Sequence, residues 1–240
     1  FSATHIEVLG SESPYGPHAQ PAAATVREAV LRLTARHPDK AALELLAREI
    51  APAGTSWAPG TTGAGGRAGV SPLIRQYAFL LDKGRVAPQV HLDGATIDLP
   101  PHEAPVAAGT APPPAGDPSP PVEEPSGPAI EVPLIRLAWA RSGDKGDTSN
   151  IGVIARRPEW LPLLRAQLPE ARVAEWLAHL ADGPVTRHEV PGIHAFNFVC
   201  ERALGGGGMA SLRNDALGKG MGQILLALPV RVPAAWFPST

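Results

Sequence analysis

Apolar positions along the chain recur with different spacings, and each spacing points to an element. From Thr4 to Leu9 apolar and polar residues alternate enough to suggest a half-buried strand. Val26 to Thr34 mixes β-branched residues with helix formers, so it reads as a second strand or a short helix. Between Asp39 and Ile50 the residues Ala42, Leu45, Leu46 and Ile50 trace one helical stripe, and Asp39 is placed to cap it. Leu73 to Leu81 is so apolar that it predicts a strand or helix buried on most sides. Val86–Leu92 and Thr96–Leu99 flank Asp93-Gly94, a two-residue hairpin turn.

Beyond residue 130 the pattern resumes. Leu134–Ala140 reads as a strand, Arg141–Asn150 as a loop, and Ile151–Ala155 as a strand or the start of a helix. Pro158 suits a first helical turn leading to Leu168, and Val173, Trp176, Leu177 and Leu180 share a face of the next helix. Val185–Val190 and Ala195–Ala203 pair as strands around Pro191-Gly192. Asn214–Gly222 looks like a short helix and Ile224–Val232 a closing strand. Strand, helices, strand, strand, helix, strand is the order of a ferredoxin-like sandwich, with helices on one face of an antiparallel sheet.

Composition divides the chain. It holds 240 residues, of which 25 are glycine and 28 proline, well above average usage. Twelve of the prolines fall between Pro100 and Pro133, in a stretch with almost no large apolar residue. Such a segment buries too little surface to offset its ordering entropy and is expected to be an extended or disordered linker. The fold class is therefore α/β (α+β). Residues 1–99 form a partial α/β segment, 100–130 a proline-rich linker and 131–240 a ferredoxin-like domain.

Charge and cysteine content exclude several classes. With 21 basic and 23 acidic residues the net charge is −2, which gives no surplus for binding nucleic acid. The single cysteine, Cys200, rules out an intrachain disulfide and fits a reducing compartment. Apolar runs such as Ile224–Val230 fall far short of a membrane span. A cytoplasmic location follows as the expectation. A chain that opens on Phe1 is expected to begin inside a longer product or to be a processed one.

Four loops carry candidate chemistry. In Arg141–Asn150, Asp144 and Asp147 are candidate acid–base groups, and Lys145 supplies a compact positive charge. Ser142 and Asn150 are donors beside it. A solvated turn would look the same. The second loop runs through Gly205, Gly206, Gly207 and Gly208 to Ser211, Arg213 and Lys219. Its glycines let backbone approach a ligand, and its cations suit an anion. A flexible connection is the plainer reading. The third, Gly54–Gly69, offers Thr55 and Arg67. The fourth, Glu12–His18, offers Tyr15 and His18, more readily a rigid turn than a proton relay. No P-loop, GxSxG elbow, zincin helix or GxGxxG after a strand occurs, and no histidine spacing points to a metal, so no cofactor is assigned and no metal site is expected. Cys200 lies in an alternating stretch and reads as a small buried hydrophobe.

Longer stretches resemble a known family. RSGDKGDTSNIGVIAR (141–156) and NFVCERALGGGGMASLRNDALGKG (197–220) resemble the C-terminal domain of the acyclic terpene utilisation family, AtuA. EVLGSESPYGPH (7–18), EIAPAGTSWAPGTTGAGGR (49–67) and SPLIRQYAFLLDK (71–83) resemble the end of that family's larger N-terminal domain. The resemblance implies a large α/β domain followed by a small ferredoxin-like one, with most of the first domain outside this chain. It also implies a place in bacterial degradation of citronellol- and geraniol-type terpenes, beside enzymes of acyl-CoA metabolism. It supplies a pathway and no mechanism.

The expected substrate is a branched acyl-CoA or related carboxylate, with a CoA thioester as one form. The expected step is of lyase or hydratase type. The competing expectation is a non-catalytic docking module of a multi-subunit enzyme. Expected partners are a second copy of the chain, or a chain carrying the rest of the first domain. Neither a nucleic acid nor a membrane is expected.

Overall fold

The computed structural model describes residues 1–63, 68–100 and 127–237. Most of the expected proline linker and Arg67 lie outside the described residues. The chain forms two compact units. One takes Phe1–Arg75 together with Val122–Thr240, and the other is Gln76–Pro121.

In the first unit, β1 (Ala3–Leu9) and β2 (Val30–Arg36) form an antiparallel two-stranded ribbon, with Ile6 opposite Leu33. Val26–Thr34 thus resolves as a strand that begins later than the pattern suggests. Next comes α1 (Lys40–Glu49), where Asp39 Oδ1 accepts the Ala41 N–H at 2.9 Å as the expected cap. The short helix α2 (Ala53–Ser56) follows.

Residues 129–233 build the main core. Strand β5 (Ala129–Pro133) leads through a 3₁₀ turn into β6 (Ala138–Lys145), which hairpins into β7 (Thr148–Ala155). Helices α3 (Leu161–Gln167) and α4 (Glu170–Trp176) precede β8 (Val185–Val190) and β9 (Ala195–Cys200). These strands form a four-stranded antiparallel sheet in the order β6-β7-β9-β8. Alternation along β7 and β9 sends Ile151, Val153, Phe196 and Phe198 to one face, where they meet Leu164, Leu177 and Leu225 in a continuous core. Then come α5 (Met221–Leu226) and β10 (Pro229–Pro233), which pairs antiparallel with β5.

Four readings of the pattern beyond residue 130 are corrected. Arg141–Asn150 is not a free loop but the end of the β6–β7 hairpin, closed by Gly146-Asp147. Its polar residues hide the strand alternation, which survives as buried Ser142 and Ser149. Asn214–Gly222 is a series of turns, and the helix starts only at Met221, after the glycines at 218 and 220. Ile224–Leu226 belongs to that helix rather than to the closing strand. A run that is apolar on every side carries no period, so sequence does not separate the two. The closing strand β10 joins β5 instead of the four-stranded sheet.

In the second unit, β3 (Gln89–Leu92) and β4 (Ala95–Asp98) form the expected hairpin, and both turn residues, Asp93 and Gly94, have positive φ. Residues 73–81 run across the boundary between the units. They form neither a strand nor a helix, and Leu73, Ile74, Tyr77, Phe79, Leu80 and Leu81 are exposed, against the expectation of burial.

Candidate functional site

The β6–β7 hairpin, the glycine run and the approach to α5 converge at one place. Gly146, with φ +69°, takes the first turn position of the hairpin and leaves Asp147 facing the glycine run. The Asp147 carboxylate accepts the N–H groups of Leu204 at 3.2 Å and Gly206 at 2.7 Å, while its carbonyl accepts Ala203 N–H at 2.9 Å. Contact is so close that a Cβ on Gly207 would lie 2.0 Å from the Gly146 carbonyl oxygen. Only glycine fits there.

One strand back, buried Ser142 donates to the Gly218 carbonyl at 2.6 Å and accepts the Gly222 N–H at 2.8 Å. Asp215 fixes the same turn, because its two oxygens accept the N–H groups of Lys219 and Gly220 at 2.8 and 2.7 Å. These bonds deliver the Lys219 side chain to β6, where its Nζ lies 3.0 Å from Asp144 Oδ1. The hydrogen bond from Lys219 holds the Asp144 carboxyl below its ordinary pKa. Its own backbone N–H and the charges of Lys219 and Lys145 push the same way, against a smaller opposing effect of burial. Lys145 donates to the Asp144 carbonyl at 3.0 Å and to Asn150 Oδ1 at 3.3 Å. Asn150 in turn reaches Asn197 at 3.3 Å.

Two comparisons bear on this geometry. Residues 1–92 match the family model described as acyclic terpene utilisation family protein AtuA, and residues 132–231 match the AtuA ferredoxin-like domain. The chain belongs to the AtuA family. Together the two matches take in four-fifths of its length. No curated protein and no solved structure matches it.

Of the residues singled out in this AtuA-family chain, the structure brings together Ser142, Asp144, Lys145, Asp147, Asn150, Lys219 and the run Gly205–Gly208. Arg213 sits behind that run. Its Nη1 donates to the carbonyls of Leu180 and Ala203 at 2.9 and 2.7 Å, and Ser211 Oγ accepts its backbone N–H at 3.3 Å. Tyr15 and His18 make no contact with the hairpin residues, and His18 lies against α4. Tyr15 packs on the core, and the His18 ring stacks on Trp176 with centroids 3.5 Å apart. His18 Nε2 also lies 2.8 Å from the Trp176 carbonyl. Thr55 is in α2, bonded to the Pro52 carbonyl at 2.9 Å, and touches none of these groups.

Sequence reasoning passed over the residues that seat the N-terminal ribbon. Glu7 is buried, and its Oε2 accepts Arg32 Nη1 at 2.6 Å and the Asn214 N–H at 2.8 Å. Arg32 and Thr34 both donate to the Leu212 carbonyl, at 2.7 and 2.9 Å. The one available signal was the alternation of β1, which puts His5 and Glu7 on a single face. Cys200 is buried, and burial pushes its thiol up to about 11. Among the described residues no three His, Cys, Asp or Glu side chains gather as a metal site, and no helix is long and apolar enough to cross a membrane.

Proposed function

We propose that this chain acts in acyclic terpene utilisation by binding a branched acyl-CoA or related carboxylate and supporting a lyase- or hydratase-type step. One observation carries the reading: Asp144 and Lys219, from opposite ends of the domain sequence, meet at 3.0 Å on a backbone lined with glycines. Addition of water to an unsaturated acyl thioester needs a base to take a proton from water and an acid to protonate the carbon next to the carbonyl. An ionised Asp144 is the proton acceptor in this scheme and the Lys219 ammonium the donor. Lys145, on the same hairpin, offers charge for the negative oxygen that develops or for an anionic group of the substrate.

The test is hydration of a branched enoyl-CoA, followed by loss of thioester-conjugated absorbance. Asp144→Asn and Lys219→Gln should each lower turnover by about 100-fold or more. Lys145→Ala should weaken substrate binding. Wild-type turnover in Asp144→Asn would remove the carboxylate from the scheme.

A second reading, a docking module without chemistry, draws on Asp147. Its carboxylate is taken up by backbone N–H groups, as in a structural strap. A docking module would keep its oligomeric state in Asp144 and Lys219 variants and would gain no stability from any acyl-CoA.

A further inference from the structure

Away from the hairpin, a cavity of about 270 Å³ opens between the N-terminal ribbon and the C-terminal half, inside the first compact unit. Leu180, Leu204, Met221 and Ile224 give it an aliphatic wall. His5, Glu7, His179, Arg213 and Asp215 also line it. The ligand it suits depends on which of these charges the chain leaves uncompensated.

Both carboxylates are satisfied from within. Glu7 faces Arg32 and the Asn214 N–H, with the His5 ring 3.6 Å from its other oxygen. Asp215 is filled by the two N–H groups that begin the turn into α5. Arg213 is different. Its Nη1 is anchored on the Leu180 and Ala203 carbonyls, while Nε and Nη2 make no hydrogen bond to a described residue. One nitrogen fixes the fork, and the others keep donors for a guest. His179 is held by the Pro14 carbonyl at 3.1 Å. Burial first, and then the charges of His18 and Arg213, lower its pKa, against the pull of the Pro14 and Trp176 carbonyls. It adds no competing positive charge at neutral pH.

We infer that this cavity binds a small aliphatic carboxylate, with its head on Arg213 and its chain against Leu180, Leu204, Met221 and Ile224. A planar guanidinium with free donors matches the two oxygens of a carboxylate, and partial anchoring reduces the entropy lost on binding. The volume falls just below the range of about 300–1,000 Å³ typical of drug-sized ligands, so a short acid fits and a nucleotide coenzyme does not. This site does not use the side chains of Asp144, Lys145 or Lys219 and goes beyond the reading based on them.

The test is titration calorimetry of the full chain with isocaproate and with its neutral isostere, isocaproamide. Isocaproate should bind saturably and roughly tenfold or more tighter than the amide, as a charge-assisted fork requires. Arg213→Gln should remove that preference, and Leu180→Trp, which fills the cavity, should abolish binding of both. Lys219→Ala should bind isocaproate as the wild type does, whatever happens to its turnover, which separates this site from the hairpin. Equal affinity for acid and amide in the wild-type chain, or no binding of isocaproate, would overturn the inference. That comparison needs no variant and stands even if Arg213→Gln fails to fold.

Discussion

The Asp147 carboxylate and the Gly206 N–H, 59 positions apart, meet at 2.7 Å and tie the tip of the β6–β7 hairpin to the glycine run. Asp147 also takes the Leu204 N–H, so removing it strips a partner from one partly buried donor and from one that water can reach. Asp147→Ala should cost about 1 kcal/mol, the net worth of a typical hydrogen bond, and Asp147→Asn less. Denaturant unfolding of the two variants measures the difference.

Gly207 and Gly208 are neighbours with opposite tolerance. Both have positive φ, but a Cβ at 207 would run into the Gly146 carbonyl, while one at 208 meets nothing within 4 Å. Gly208→Ala should therefore cost about 1 kcal/mol from backbone conformation alone. Gly207→Ala should cost at least twice that, because the hairpin must move. Thermal unfolding of the pair tests the contrast, and equal losses would contradict the packing described.

Ser142 is buried between β6 and the turn into α5, where it bonds both Gly218 and Gly222. Ser142→Ala leaves the Gly222 N–H without its partner, while the Gly218 carbonyl keeps the Met221 N–H at 3.4 Å, and should destabilise by about 1–3 kcal/mol. Ser142→Cys, with a weaker donor of similar shape, should lie between. The loss should also loosen Lys219, read as a smaller acid-range dependence on Asp144.

That dependence has a definite sign. The Asp144 pKa is lower in the folded chain than in the unfolded one. The stabilisation is present above the unfolded value of about 3.9 and disappears as pH falls through the lower folded value. Stability curves of wild type and Asp144→Asn should run parallel above pH of roughly 5 and converge below about 4. His179 behaves alike for a different reason. Burial favours its neutral form, so its contribution is complete above about 6.5 and is lost as pH falls through the lowered folded value. His179→Phe should flatten the stability profile just below that point.

Cys200 offers a chemical check on the core. With its thiol pushed up to about 11, it should stay unmodified by an aromatic disulfide reagent at neutral pH and react at once in denaturant. Reaction of the native chain within minutes would mean that β9 opens far more readily than its place between β7 and β8 implies.

Local signals were legible in the sequence and distant ones were not. The Asp39 cap and the Asp93-Gly94 turn each depend on residues within a few positions, and both appear as expected. Ile224–Leu226 was misread because a segment buried on all sides loses its period. Leu73–Leu81 was misread for the converse reason, since apolar composition does not reveal whether a partner surface exists in the same unit. The candidate residues at the hairpin were visible as types, but the pairing of Asp144 with Lys219 across 75 positions was not. It is created by Ser142 and Asp215, whose bonds to the backbone near Gly218 and Gly220 have no sequence signature.

The pairing of β5 with β10 gives the C-terminal half an unusual handle. Pro133 lies opposite Pro229 and Ala129 opposite Pro233, and the Ala234 N–H reaches the Pro128 carbonyl at 2.9 Å. A chain that leaves this module exits beside the point where it entered. Such a module can be spliced into a surface loop of another protein, or its ends can be sealed by a short bridge and reopened elsewhere. The exposed turn at Pro191–Ile193 is the natural place to cut, since the strands on either side remain paired to each other and β9 stays paired to β7. In engineering terms, residues 128–237 close on themselves at this strand pair, and the N-terminal ribbon held at Leu212 and Asn214 has to travel with them.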